Sequence, residues 1–131
     1  MAHALLDTTV LIDVLRGRPE SARRLLSMRA TGDVPCTSAI NVEEIVRGLR
    51  PAESQAARGL LAGLHVVAIS MDEARQAGEW RRDFAGAGVT LSQADCLVAA
   101  AALSIGGWLC TGNPEDFPMA PLRVDHWPPG R

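Results

Sequence analysis

Lysine is absent from this 131-residue chain, and all 13 of its basic residues are arginine. That excludes every mechanism that needs a lysine amine, whether as base, Schiff-base former or phosphate contact. Arginine is instead suited to planar, bidentate contact with phosphate or carboxylate. Cysteine is scarce: Cys36, Cys96 and Cys110 are too few and too scattered for a disulfide framework, and no Cys-x-x-Cys pair suggests zinc. Each sits among apolar residues, so all three are expected buried and reduced. His3, His65 and His126 share no metal-ligand spacing. The large aromatics number five: Trp80, Trp108, Trp127 and two phenylalanines, with Trp108 expected in the core. No apolar run is long; Leu97–Leu103 falls well short of the roughly 20 residues that span a bilayer. The start of the chain has neither a basic n-region nor a cleavage site, so the expectation is a cytoplasmic protein without membrane contact.

What is present is ordinary for one globular domain: 47% hydrophobic and 21% charged residues, with a net charge of −2. The whole chain, 1–131, reads as a single domain with a short flexible tail near 128–131. The charge argues neither for nor against nucleic-acid binding.

Ala4-Leu5-Leu6 is a short apolar run ending at Asp7, which reads as a buried strand with a carboxylate at its C-terminal end. Val10, Leu11, Val14 and Leu15 recur at helical spacing, and a second helix starts at Pro19-Glu20. Val34–Thr37 is a second strand, where Pro35 requires a position whose amide need not be paired. Ser38 caps a helix running to Arg47 and closed by Gly48. A helix over 53–64, a β-branched strand over 65–69 and a long helix opened by the capping box Ser70–Glu73 follow. Ser92–Asp95 is a second capping-box pattern, opening a helix apolar on nearly every side. Trp108–Cys110 is a core strand, and Leu122–Trp127 an edge strand. Strands alternating with helices give an α/β domain with a mainly parallel sheet, whose functional groups gather at the strands' C-terminal ends. Asp7, Ser38 and Thr111 all fall just after a strand.

Four acids are candidates for a shared site: Asp7, Glu44, Asp95 and Asp116. Hard divalent cations such as Mg²⁺ and Mn²⁺ take oxygen ligands, and carboxylates gathered without a cation raise one another's pKa. Each acid also has an ordinary structural use. Asp7 serves as a helix cap, Asp95 as the third residue of a capping box, Glu44 as a solvated helix residue, and Asp116 as a loop residue.

Together the segments resemble the PIN domain, and within it the VapC toxins of bacterial toxin–antitoxin pairs. Leu6-Asp7-Thr8-Thr9-Val10-Leu11-Ile12-Asp13 is similar to the family's opening. Thr37-Ser38-Ala39-Ile40-Asn41-Val42-Glu43-Glu44-Ile45-Val46-Arg47-Gly48 resembles its Ser…Glu helix. Ser92-Gln93-Ala94-Asp95-Cys96-Leu97-Val98-Ala99-Ala100 and Thr111-Gly112-Asn113-Pro114-Glu115-Asp116-Phe117 resemble its Asp-x-x-Ile-Ala-Ala helix and Thr-x-Asn-x-x-Asp-Phe loop. The resemblance implies a three-layer α/β/α fold and a Mg²⁺- or Mn²⁺-dependent endoribonuclease. Asp7 and Asp95 are then metal ligands, with Glu44 completing the cluster directly or through water. Asp116 forms the fourth corner with Asn113, the choice between them open. Thr9 is expected to orient Asp7, and Ser38 and Thr111 to supply supporting hydrogen bonds. The resemblance also implies an RNA substrate, a VapB-like antitoxin that blocks the pocket, often with an inserted arginine, and a homodimer.

Arginines 16, 18, 47, 50, 81 and 82 are candidates to guide an RNA backbone, their ordinary alternative being a salt-bridged helix surface. Two rivals share an aspartate after the first strand, the haloacid-dehalogenase phosphatases and the response-regulator receivers. Both rely on lysine. A third is a PIN-like module that binds RNA or a partner without catalysis; a phosphate binder has no reason to concentrate carboxylates.

Overall fold

Alternation within the first strand sets the layers. In the computed structural model, which describes residues 2–130, β1 (His3–Leu6) is almost wholly buried. Successive side chains of a strand face opposite ways. Ala4 and Leu6 accordingly join one core cluster and Leu5 the other. The first cluster packs under α1 (Thr8–Leu15), α2 (Pro19–Ala30), α3 (Ala39–Arg47) and α4 (Ser54–Ala62). The second packs under α5 (Met71–Gly86) and α6 (Gln93–Ser104). The result is the expected three-layer α/β/α arrangement.

Between the layers lie β2 (Val34–Ser38), β3 (His65–Val67), β4 (Trp108–Thr111) and β5 (Val124–His126), in the order β3-β2-β1-β4-β5. All four pairings are parallel, with Leu5 opposite both Cys36 and Leu109. The sheet grows outward from β1 towards β2 in one direction and towards β4 in the other. The boundary between β1 and β4 is therefore a topological switch point, where open α/β sheets leave a crevice at the strands' C-terminal ends.

The local signals act largely as expected. Pro35 pairs with Ala4 of β1, and the β2–β3 register begins only at Cys36, so on that side β2 is still an edge at Pro35. β3 stops at Val67, two residues short of the apolar run's end, because the chain turns there towards the Ser70 cap of α5. The helix expected over 53–64 begins as a 3-10 turn, Pro51–Glu53, and becomes α-helical at Ser54. α6 is apolar on nearly every side, with Cys96 and Val98–Ala102 buried. Its alanines let it lie close to the sheet. Gly107 makes the tightest approach, since a Cβ there would collide with the backbone carbonyl of His3.

Trp108 is only half-buried, with the Arg123 guanidinium over its ring; the buried indoles are those of Trp80 and Trp127. All three cysteines are free and buried, and burial pushes the Cys110 thiol up to about 12. Of the tail expected to be flexible, Arg131 lies outside the described residues. Trp127 is buried, and the Gly130 amide donates to Asp13 Oδ2 (2.8 Å). Among the described residues no helix is long and apolar enough to cross a membrane.

Candidate active site

The end of β1 delivers Asp7 to the switch point. Its amide bonds to the Cys110 carbonyl of β4 (2.9 Å), and its side chain is 8% exposed. Asp7 occupies the N-cap of α1, yet its side chain makes no capping hydrogen bond. The carboxylate turns across the crevice instead. Thr111 Oγ1, at the end of β4, donates to Oδ2 (2.8 Å), and Asn41 Nδ2 donates to Oδ1 (3.2 Å). The helix-cap use of Asp7 is thus not the one adopted.

Glu44 lies in the second turn of α3. Its Oε1 accepts a short bond from Thr8 Oγ1 (2.7 Å). Asp95 comes from the first turn of α6. Ser92 Oγ caps the Asp95 amide (3.0 Å), but the reciprocal bond that would complete the box does not form. In α5 the same grammar does close, Glu73 bonding back to the Ser70 amide (3.2 Å). The Asp95 carboxylate therefore does not close the box on the Ser92 amide; its local partner is the Ser92 side chain alone. Asp116 ends the 3-10 turn Pro114–Asp116 and is exposed.

The electrostatics show the four acids sharing one region. Burial raises the pKa of Asp7 above the ordinary carboxylate value; Thr111, the Thr8 amide and Asn41 pull it down, while Glu44 pushes it further up. Asp95 is raised chiefly by burial, against the lowering effect of Ser92, and also by the charges of Asp116, Asp7 and Glu44 in that order. Asp116 is thus the strongest acidic neighbour of Asp95, while Asn113 contributes its backbone amide to Thr111 Oγ1 (3.1 Å). The arginines lie elsewhere. Among the described residues none forms an ion pair with any of the four acids, and Arg47, which feels Glu44 at longer range, is paired with Glu43 (2.7 Å).

The donor set fits a hard cation. It is all oxygen, it carries concentrated negative charge without a basic partner, and its most buried member accepts from three neutral donors. Among the described residues no group of three or more His, Cys, Asp or Glu side chains is placed to hold a metal ion by itself. Mg²⁺ does not need one, because it keeps several waters and uses one or two carboxylates.

The supporting residues are arranged differently from expectation. Thr9 does not orient Asp7; its Oγ1 accepts from the Gly112 amide (2.9 Å) and so ties the β4 loop to α1. Thr111 bonds Asp7 directly. Ser38 acts one step back, through Asn41. Sequence reasoning assigned no role to Asn41 or Thr8, yet Asn41 is fully buried and bonded to both Asp7 and Thr8. The available signal was the residue three after the Ser38 cap: Asn, where a capping box ordinarily has Glu or Gln.

Of the arginines proposed to guide RNA, Arg16, Arg47 and Arg82 are paired with Glu53, Glu43 and Asp83, and Arg81 Nε bonds the Leu91 carbonyl. For these four the structural use holds. Arg18 and Arg50 are exposed.

A parallel α/β/α sheet with carboxylates at its switch point is the architecture that the PIN domain model matches over residues 4–118, and the chain belongs to that family. Among its relatives, Ribonuclease VapC19 of Mycobacterium tuberculosis is 30% identical over 117 residues, 89% of this chain and 94% of that protein. Ribonuclease VapC10 of the same species is 31% identical over 124 residues, 95% of this chain and 85% of that protein. Two solved structures share the fold. The DNA-bound VapBC of Salmonella typhimurium has a TM-score of 0.81 at 25% identity, covering 97% of this chain and 99% of its own. A toxin–antitoxin complex from Klebsiella pneumoniae has 0.76 at 28%, covering 93% and 95%.

Proposed function

We propose that this chain is a metal-dependent endoribonuclease and the toxin of a toxin–antitoxin pair. The observation that carries the reading is the placement of Asp7, Glu44, Asp95 and Asp116 around one crevice, with Asp7 making no cap bond to its own helix and none of the four paired with arginine. The names of the relatives support it.

Asp7 and Asp95 would hold Mg²⁺ or Mn²⁺, with Glu44, directly or through water, and Asp116 beside them. A cation there supplies charge neutralisation at the phosphodiester and lowers the pKa of a water. The residues of the chain do the rest. Thr111 and Asn41 fix the plane of the Asp7 carboxylate from two sides. Thr8 fixes that of Glu44. A carboxylate would orient the attacking water and take up its proton as the water oxygen bonds to phosphorus. The bond from phosphorus to O3′ breaks, O3′ takes a proton from solvent and leaves as a 3′-hydroxyl, and the other product carries a 5′-phosphate. Asp116 is exposed and Glu44 and Asp95 half-buried, so solvent reaches all three more readily than Asp7. Single-stranded or looped RNA offers the exposed backbone that such a crevice can admit.

The partner would be a VapB-like antitoxin that covers the crevice and sets an arginine against its unpaired carboxylates. The toxin is expected to act in the cytoplasm, as a homodimer. The test is RNA cleavage by the purified protein with Mn²⁺, with Mg²⁺ and with chelator, for wild type, Asp7→Ala and Asp95→Ala. Cleavage is expected only in wild type with metal. Cleavage that survives chelation or both substitutions rules the reading out; RNA binding without cleavage replaces it with a non-catalytic module.

A further inference from the structure

The N3 residue of α3 has more hydrogen-bonding capacity than a helix cap uses. Asn41 Oδ1 accepts from the Ser38 amide (3.3 Å) and from Ser38 Oγ (2.6 Å), while the Asn41 amide donates back to Ser38 Oγ (3.3 Å). That closes the capping box on the carbonyl side alone. The side-chain nitrogen remains, and its two protons go to Asp7 Oδ1 (3.2 Å) and Thr8 Oγ1 (3.0 Å). An asparagine side chain offers two donors and two acceptor sites, so Asn41 is saturated and its amide cannot flip. A glutamate there would close the same box but set a further carboxylate against Asp7.

The direction of every proton then follows. Thr8 Oγ1 accepts from Asn41, so its one proton is committed to Glu44 Oε1 (2.7 Å). From the Ser38 amide outward, each donor points at the next acceptor until the line ends on two carboxylates. One fully buried amide thereby fixes Asp7 directly and Glu44 through Thr8, although the two acids lie on different elements. It does so without neutralising either, as an arginine would.

Resting on the metal-site reading above, we infer that Asn41 is the positioning residue that sets Asp7 and Glu44 in mutual register for a divalent cation, with Thr8 as its arm to Glu44. The test is Mn²⁺ binding to the RNA-free protein by calorimetry, with thermal unfolding in chelator alongside, for wild type, Asn41→Ala, Thr8→Val, their combination and Ser38→Ala. Asn41→Ala and Thr8→Val are each expected to weaken Mn²⁺ binding by about 10-fold to 100-fold, the range for residues that orient metal ligands. The double variant is expected to be little worse than the worse single one, because both break one line of bonds. Ser38→Ala removes the other half of the same helix cap; it should lower thermal stability like Asn41→Ala while losing much less Mn²⁺ affinity. Equal losses in Ser38→Ala and Asn41→Ala, or Asn41→Ala and Thr8→Val within twofold of wild type, overturn the inference and leave the nuclease reading standing. Should Asn41→Ala fail to fold, Thr8→Val, outside the α3 cap, decides by the same twofold criterion. A wild-type protein that binds no Mn²⁺ removes both readings together.

Discussion

Asp7 is a carboxylate kept ionisable against its surroundings. Burial and Glu44 push its pKa up, and neutral donors from Thr111, Thr8 and Asn41 offset only part of that push. Asp7→Asn relieves the buried charge and retains the contacts, since the new carbonyl still accepts from Asn41 and the Thr111 hydroxyl can turn to accept. The expected outcome is a protein that melts at or above the wild-type temperature in chelator yet cleaves no RNA, checked by calorimetry and a cleavage assay on one preparation. Thr111→Val removes the donor to Asp7 and strands the Asn113 amide. It should lower cleavage roughly 10-fold to 100-fold, as loss of a ligand-orienting residue does. A loss confined to stability, with cleavage per folded molecule unchanged, would show that Thr111 does not orient Asp7.

At the scale of elements, the site depends on how closely α6 and the turn after it lie against the sheet. Gly107 lies between α6 and β4, where any Cβ meets the His3 carbonyl of β1. The obstacle is backbone and cannot turn aside. Gly107→Ala is expected to destabilise the fold by about 1–3 kcal/mol, the usual cost of overpacking, read from denaturant midpoints. Leu109, fully buried at the centre of β4, tests the opposite error. Leu109→Ala should cost about 2–5 kcal/mol through the cavity it leaves. A much smaller loss would mean that β1 and β4 can shift apart at Gly107, or that their surroundings can close in on the Leu109 cavity.

The whole molecule carries its acidic crevice as a cost to stability. Asp7 and Asp95 both have folded-state pKa values raised above their unfolded ones. Such groups bind more protons folded than unfolded, so their contribution is fully present below the unfolded value. It is lost as pH rises through the folded one. In chelator, thermal stability should therefore decline as pH rises above the ordinary carboxylate range, and Asp7→Asn should flatten that decline. Mn²⁺ at neutral pH should restore what was lost, by binding the folded form only. A pH profile that Asp7→Asn leaves unchanged would place the cost elsewhere.

Most of the fold was legible locally. Apolar runs, capping boxes and turn glycines depend on neighbours a few residues away, and they marked every strand and helix and the edge where function gathers. Periodicity also put Asp7 at the end of β1 and Asp95 in the first turn of α6. The partners of these side chains could not be read in the same way. Asp7 meets Asn41 across 34 positions and Thr111 across 104, and nothing near Asp7 in the chain records either distance. Two readings gave way to the fold: the helix-cap alternative for Asp7, which local grammar offered, and the orienting of Asp7 by Thr9, which the family resemblance implied. What the sequence by itself determined is the set of elements and the acids each one carries. Only the tertiary structure decided that the sheet branches at β1, which brings β2 and β4 to either side of Asp7. That branching turns a capping asparagine and a strand-end threonine into the two hands that hold the carboxylate, because hydrogen bonds follow distance in space and not along the chain.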